Sequence, residues 1–175
     1  MNPMSETFKV DLGSGFSPKE GYFNLDAQKV PQVNIIAEAR KLPFQDNSIG
    51  ELRASHIIEH FSYVEVRNVL REWFRVLMPC GKLRVRTPDL DWLCKARMTG
   101  HHTPEESVVF FYGAFTLHAC EGGHFHDLGA YNEFDGHKAT YTEELLAKII
   151  QESGYLITSA QREHEWEIMF EAVKP

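Results

Sequence analysis

The chain has 175 residues, of which 43% are hydrophobic and 25% charged, a composition that can bury one core of single-domain size. Its formal net charge of -7 and pI near 5.7 disfavour a nucleic-acid partner, because phosphate backbones are bound by clustered positive charge. No segment predicts a membrane span or a signal peptide, and Cys80, Cys94 and Cys120 lack the spacing of a zinc or redox pair. We therefore predict one domain over residues 1–175, without nucleic-acid or membrane partners, and with free thiols in the cytoplasm.

The first part of the chain alternates short apolar runs with turn-forming residues, which is typical of buried strands joined by loops. Four strands are predicted, at Phe8–Leu12, Tyr22–Asp26, Val33–Ala37 and Ser48–Ala54. The connection between the first two is shorter than the dozen or so residues that a parallel crossover normally takes. We therefore expect only one helical turn there, around Ser17–Glu20, where Pro18 suits a first helical position.

From Tyr63 to Leu77 apolar residues recur at helical spacing, and a fifth strand is predicted over Lys82–Thr87. The C-terminal part predicts a helix over Thr142–Glu152, capped by Thr142, and strands at Tyr155–Ser159 and Glu167–Val173. Strands that alternate with helices and finish in a hairpin indicate an α/β fold. We predict a doubly wound, Rossmann-like sheet that is mostly parallel, with an antiparallel last strand at its edge.

The segment from about 90 to 140 interrupts this alternation. It contains six of the nine histidines, namely His101, His102, His118, His124, His126 and His137. Long connections in a compact domain are usually functional or disordered, and the aromatic density here disfavours disorder. We interpret the segment as a lid or a ligand-pocket insertion. Its aromatic run, Phe110, Phe111, Tyr112 and Phe115, is typical of a core or a dimer contact.

A glycine-rich turn, Gly13–Gly15, ends the first predicted strand, and Asp26 ends the second. Glycines let a ligand approach the backbone, and a carboxylate can accept hydrogen bonds from both hydroxyls of a ribose. Ligands of open α/β sheets bind beyond the carboxyl ends of the strands, where these residues fall. The pattern indicates a nucleoside-containing cofactor. A nicotinamide dinucleotide fits less well, because the third glycine of its fingerprint would fall on Pro18 and Asp26 comes too early.

Several motifs occur in the order seen in class I S-adenosylmethionine-dependent methyltransferases, which the chain resembles from Phe8 to about Asp89 and again from His137 to Val173. The motifs are Asp11–Gly15, Asp26, Ala37–Ala39 before Leu42–Phe44, Glu59–His60, and Arg75–Leu77 running into Pro79–Gly81. Two features depart from this family. The short first crossover removes the helix that usually follows the glycines, and Cys80 replaces a common glycine.

The resemblance implies a methyltransferase that binds S-adenosyl-L-methionine and releases S-adenosyl-L-homocysteine. It implies that the glycines hold the methionine portion, that Asp26 binds the ribose, and that Glu38 and the backbone of Ala39 contact the adenine. Ser55 and His56 would face the cofactor after the fourth strand. The implied cofactor-binding residues are Asp11, Gly13, Ser14, Gly15, Asp26, Glu38, Ala39 and Ser55.

His56, Glu59 and His60 form a His-x-x-Glu-His cluster, whose members would share one face of a helix. We predict His56 and His60 as catalytic residues, because a histidine can remove the proton of an acceptor hydroxyl. The cluster also resembles the metal site of some RNA-terminal methyltransferases. The first residue of that site is an acid in those enzymes, whereas this chain has His56 there. His124 and His126 could add ligands. We assign no metal from the sequence, and a metal-assisted enzyme stays an open alternative.

Methyl transfer from a sulfonium is an in-line displacement, which needs alignment and exclusion of water but no covalent catalytic residue. The small lid and the acidic composition favour a small-molecule or peptide-sized acceptor over nucleic acid, and we expect a monomer or a homodimer. Trp92, Tyr131 and Tyr141 are the aromatic residues expected near the acceptor. The alternatives are a non-catalytic cofactor-binding or interaction module, another transfer from the same cofactor, and a metal-assisted hydrolase.

Overall fold

The computed structural model describes residues 8–112, 117–119, 125–127, 136–162 and 164–175. The strands are β1 (Lys9–Leu12), β2 (Phe23–Asp26), β3 (Ile35–Ile36), β4 (Ile49–Ser55), β5 (Leu77–Pro88), β6 (Leu117–Ala119), β7 (Phe125–Asp127), β8 (Leu156–Gln161) and β9 (Glu167–Val173). Seven of them form one sheet in the order β3-β2-β1-β4-β5-β9-β8, while β6 and β7 pair separately. The predicted α/β fold with a mostly parallel sheet is confirmed.

Five neighbouring strands of the sheet run parallel to one another, in the spatial order β3-β2-β1-β4-β5. Their central members are fully buried and apolar, as Val10, Leu12, Leu25 and Leu52 show. A strand that is covered on both faces reads as a short apolar run, which is why periodicity located β1, β2 and β4. Because the strands are parallel, their carboxyl ends meet at one edge of the sheet.

The last strand, β9, is antiparallel as predicted, but it does not form the edge of the sheet. It lies between β5 and β8. Burial explains this order, because β9 buries Ile168, Phe170 and Ala172, whereas most residues of β8 are exposed. The antiparallel direction places the start of β9 beside the carboxyl end of β5. Trp166 and Glu167 therefore reach the edge where the parallel strands end.

The connection between β1 and β2 contains turns and no helix, so the predicted helical turn around Ser17–Glu20 is wrong. One turn is closed by Ser17 N, which donates to Ser14 O at 3.0 Å, and the next by Tyr22 N, which donates to Lys19 O at 3.2 Å. The connection is too short to hold both a helix and the loops of a crossover.

The helices are α1 (Val66–Val76), α2 (Leu90–Met98), α3 (Pro104–Tyr112) and α4 (Glu143–Glu152), with one turn of 3-10 helix at Ile58–His60. A capping box precedes α1, since Ser62 N donates to Glu65 Oε2 at 3.1 Å and Glu65 N donates to Ser62 Oγ at 3.3 Å. This explains why apolar spacing begins before the helix does. Thr142 caps α4 as predicted, accepting from Leu145 N at 3.2 Å.

The core lies where α1 and α4 pack on the sheet. Trp73 and Leu70 of α1 and Ile149 of α4 are fully buried within it. Tyr155 joins this core, and its hydroxyl donates to Leu70 O at 3.1 Å, which satisfies the buried polar group.

Candidate active site

A cleft of about 990 Å³ opens at the carboxyl ends of the parallel strands. This volume is at the upper end of the range for small-molecule sites, about 300–1,000 Å³. The chain winds to β2 on one side of β1 and to β4 on the other, and open α/β sheets bind ligands at such a reversal. The cleft is lined by all of the site residues predicted from the sequence, namely Asp11, Gly13, Ser14, Gly15, Asp26, Glu38, Ala39, Ser55, His56 and His60.

The glycine turn and Asp26 are joined by a direct hydrogen bond. Gly15 N donates to Asp26 Oδ2 at 2.9 Å, and Gln28 N donates to Oδ1 at 2.8 Å. Gly13 has a φ of +64°, and a Cβ there would lie 2.6 Å from Ile57 Cδ1, so a side chain at position 13 would displace Ile57. Each carboxylate oxygen of Asp26 retains a further lone pair with which it can accept a hydrogen bond from a ligand.

Asp11 is fully buried at the end of β1, and its Oδ1 accepts a hydrogen bond from Arg53 Nη1 at 2.6 Å. Burial raises the pKa of Asp11, and this effect outweighs the opposing effect of the Arg53 guanidinium. Asp11 Oδ2 accepts no hydrogen bond from any residue that the structure describes. Since buried polar atoms normally have partners, this oxygen is suited to a donor on a bound ligand.

Ala39 is held in place by α1. Trp73 is fully buried, and its Nε1 donates to Ala39 O at 2.9 Å. Next to Ala39, the Arg40 guanidinium lies over the Phe61 ring at 5.0 Å from the ring centroid, and both residues line the cleft. The cleft wall beside Ala39 is therefore formed by a planar cation over an aromatic ring, and Arg40 Nη1 also lies 3.6 Å from the Glu38 carboxylate.

His56 lies between two buried glutamates. Its Nδ1 is 3.2 Å from Glu59 Oε1 and its Nε2 is 2.5 Å from Glu167 Oε1. Burial alone would lower the pKa of His56, but the hydrogen bonds and charges of the two glutamates raise it. Because a carboxylate only accepts hydrogen bonds, both ring nitrogens donate and the ring is an imidazolium. In this state His56 has no lone pair with which to take a proton.

Glu59 is fully buried and ionised. Burial alone would raise its pKa, but the hydrogen bond and charge of His56 lower it. Thr87 Oγ1 donates to Glu59 Oε2 at 3.1 Å. The expected helical face shared by His56, Glu59 and His60 is absent, because His56 has a φ of +52° and precedes the 3-10 turn. His60 instead contacts His137, with ring centroids 5.1 Å apart.

The cleft wall also contains residues that the sequence analysis missed, notably Arg53, Lys138 and Trp166. Arg53 is aligned with Asp11 in the register of β1 and β4, and Trp166 lies 5.6 Å from His56 between ring centroids. These contacts depend on strand pairing and on the position of β9 inside the sheet, for which the local sequence carries no signal.

Two aromatic residues expected near the acceptor lie elsewhere. Trp92 packs against His101 and His102 beside a second cavity, and Tyr141 is fully buried in the core. Both lie outside the lining of the main cleft. Cys80 and Cys94 are exposed free thiols. Phe115, Cys120, His124 and Tyr131 lie outside the described residues, and only the backbone of His126 is described.

None of the helices in the described part of the chain has the length and hydropathy that crossing a membrane requires.

Residues 10–85 match the model of a methyltransferase domain family. Comparison with curated proteins gives no significant sequence match.

Solved structures with a similar fold extend over nearly the whole chain. A Pyrococcus horikoshii protein is 15% identical with a TM-score of 0.65, over 98% of this chain and 83% of that one. Burkholderia thailandensis 1,6-didemethyltoxoflavin-N1-methyltransferase, with bound 1,6-didemethyltoxoflavin and S-adenosylhomocysteine, is 12% identical with a TM-score of 0.64, over 96% and 71%. A Methanosarcina mazei S-adenosylmethionine-dependent methyltransferase is 17% identical with a TM-score of 0.59, over 96% and 92%. Residues 10–85 are therefore similar to a methyltransferase domain, and the fold of the chain is the one seen in solved S-adenosylmethionine-dependent methyltransferases.

Proposed function

We propose that the chain transfers the methyl group of S-adenosyl-L-methionine to a small-molecule acceptor bound in the same cleft. The observation that carries this proposal is the hydrogen bond between the glycine turn and Asp26 at one edge of the sheet. This bond places the backbone of two glycines, Gly13 and Gly15, beside a carboxylate with free lone pairs. These are the two features that a nucleoside-linked amino acid requires.

The lining residues support a specific orientation of the cofactor. Asp26 accepts from the ribose hydroxyls, and Gly13 and Gly15 lie along the methionine portion. The buried Oδ2 of Asp11 is suited to a donor such as the ammonium group of that portion. Glu38 and Ala39 contact the adenine, next to the wall formed by Arg40 and Phe61. The hydrogen bond from Trp73 Nε1 to the Ala39 carbonyl holds this part of the backbone in place.

The acceptor then lies toward His56 and His60, with Lys138 and Trp166 nearby. His56 is held as a cation by Glu59 and Glu167, and it links these two residues in the wall of the cleft. His60 is placed to contact the acceptor. The Burkholderia structure, which holds a small molecule together with S-adenosylhomocysteine, supports an acceptor of that size. We also propose one domain over 1–175 with an acceptor insertion at about 90–140, and, from the exposed free thiols, a cytoplasmic location.

Calorimetric titration with S-adenosylhomocysteine tests the cofactor site. Asp26→Ala is expected to weaken binding at least tenfold, about 1.4 kcal/mol. Asp26→Asn keeps the shape and one acceptor oxygen, so it should weaken binding less. Asp91→Asn, on the exposed surface of α2, is the matched control and should bind as the wild type does. Equal dissociation constants for all four proteins would refute the assignment of Asp26.

Turnover separates an enzyme from a binding module. S-adenosylmethionine is incubated with the protein and with pools of small molecules, peptides or RNA, and release of S-adenosylhomocysteine is measured. Release with a small-molecule pool supports the proposed acceptor class. Release with RNA alone contradicts it, and tight cofactor binding without release in any pool favours the non-catalytic alternative.

A further inference from the structure

Glu59, His60 and His137 converge beside the cleft. One potential ligand atom from each lies within 4.8 Å of the others. Glu59 is fully buried, His60 lines the cleft, and His60 Nδ1 accepts or donates no hydrogen bond among the described residues. A carboxylate and two imidazoles around one point form a donor set suited to divalent transition metals.

The backbone fixes this arrangement. Lys138 N and Ala139 N both donate to Glu59 O, at 2.8 Å and 3.1 Å. These two bonds fasten the segment after His137 to the turn that carries Glu59 and His60. His137 is therefore brought to the adjacent residues Glu59 and His60 before any ligand binds.

Hydrogen bonds also set the ring orientation of His137. Its Nδ1 is 3.1 Å from the Phe110 carbonyl oxygen. Since a carbonyl only accepts, Nδ1 carries the proton and Nε2 keeps its lone pair. Metal-binding histidines usually donate their second N–H to a carbonyl or a carboxylate in this way. Thr87 Oγ1 donates to Glu59 Oε2 at 3.1 Å, which orients the carboxylate as well.

We propose that Glu59, His60 and His137 bind one divalent transition-metal ion at the acceptor end of the cleft. His56 is not a ligand, because its two ring nitrogens are bonded to Glu59 and Glu167. The site thus differs from the sequence cluster of His56, Glu59 and His60 by the exchange of His56 for His137. Three protein ligands leave coordination positions open for water or for an acceptor atom.

The catalytic use of this ion rests on the proposed methyl transfer. An acceptor hydroxyl bound to the metal would lose its proton more readily, and that proton would pass to solvent. The acceptor oxygen then forms a bond to the methyl carbon, while the carbon–sulfur bond breaks and its electron pair stays on S-adenosylhomocysteine. His60 would hold the ion in this arrangement instead of taking the proton itself.

Titration of the metal-free protein with Co²⁺, followed by calorimetry and visible absorption, tests the site. The wild type is expected to bind one equivalent and to develop absorption bands of coordinated Co²⁺. His60→Gln and His137→Gln should each weaken binding at least tenfold, while His101→Gln, an exposed histidine beside Trp92, should leave it unchanged. No saturable binding, or equal binding by all four proteins, would overturn the proposal.

Parallel titrations with S-adenosylhomocysteine distinguish this inference from the proposed function and show that each variant is folded. Binding of S-adenosylhomocysteine without binding of Co²⁺ rejects the metal site alone. Binding of Co²⁺ without binding of S-adenosylhomocysteine rejects the methyltransferase proposal and leaves the metal site standing.

Discussion

Cys80 occupies a backbone conformation that favours glycine, with a φ of +61° in the first part of β5, where the pairing with β4 shifts register. Its neighbour Gly81 is required for a different reason, because a Cβ there would lie 2.7 Å from Met78 O. The left-handed conformation costs about 1–2 kcal/mol for a residue with a side chain. The cysteine at position 80, where the resembled family commonly has a glycine, is therefore locally strained.

Replacing Cys80 by glycine should raise the free energy of unfolding by roughly 0.5–1 kcal/mol, because relief of the strain exceeds the greater flexibility of glycine in the unfolded chain. Cys80→Ala removes the sulfur and keeps the Cβ, so it is the matched control and should give no such gain. Urea unfolding of the three proteins measures the difference. Equal gains from both substitutions would attribute the effect to the thiol.

Gly13, Gly15 and Asp26 could be predicted because each belongs to a local signal, whereas Asp11, Glu38, Ala39 and Ser55 were implied by the resemblance to the methyltransferases. A glycine turn or an acid directly after an apolar run marks the carboxyl end of a strand. His137 and Trp166 carried no such signal. Their place at the cleft depends on contacts with segments far away in the sequence, such as the bonds from Lys138 and Ala139 to Glu59 O.

At the scale of elements, α1 anchors the loop that lines the cleft wall beside Ala39. Glu72 Oε1 accepts from Leu42 N at 2.8 Å, and Arg75 Nη1 donates to Phe44 O at 2.9 Å. Glu72 and Arg75 also bind each other, with Nη2 2.7 Å from Oε1. The apolar spacing of α1 predicted the helix, but it could not predict this role of its polar residues, because their partners belong to another segment.

Glu72→Gln should lower the free energy of unfolding at neutral pH. The difference from the wild type should become smaller as the pH falls into the acid range. The hydrogen bond from Arg75 is the main reason why the pKa of Glu72 is lowered from its ordinary value of 4.5. A lowered pKa in the folded state gives stability that is complete above the unfolded pKa and is lost as the pH falls through the folded value. The glutamine can still accept from Leu42 N, so the change removes mainly the charge.

The free energy of unfolding of wild type and Glu72→Gln is therefore compared between pH 7 and pH 3. The difference should be constant near neutrality and should narrow below about pH 4.5. Glu144→Gln, on the exposed side of α4, controls for the loss of a surface carboxylate. A difference for Glu72→Gln that stays the same down to pH 3 would contradict the assigned role.

At the scale of the whole molecule, the order of the strands in the sheet determines which residues line the cleft. The reversal of winding at β1 opens the cleft, and the place of β9 between β5 and β8 brings Glu167 to His56. Alternation of strands and helices was enough to predict a mostly parallel sheet. It was not enough to place the antiparallel strand inside the sheet, because both strands of a hairpin can pair with the same neighbour and burial across the sheet decides between them.

The most direct measurement of the central claim is a crystal structure of the protein grown or soaked with saturating S-adenosylhomocysteine. We expect density for the ribose against Asp26 and for the amino-acid portion along Gly13 and Gly15, beyond the carboxyl ends of β1 and β2. An empty cleft at saturation, or S-adenosylhomocysteine bound at another surface, would contradict the account.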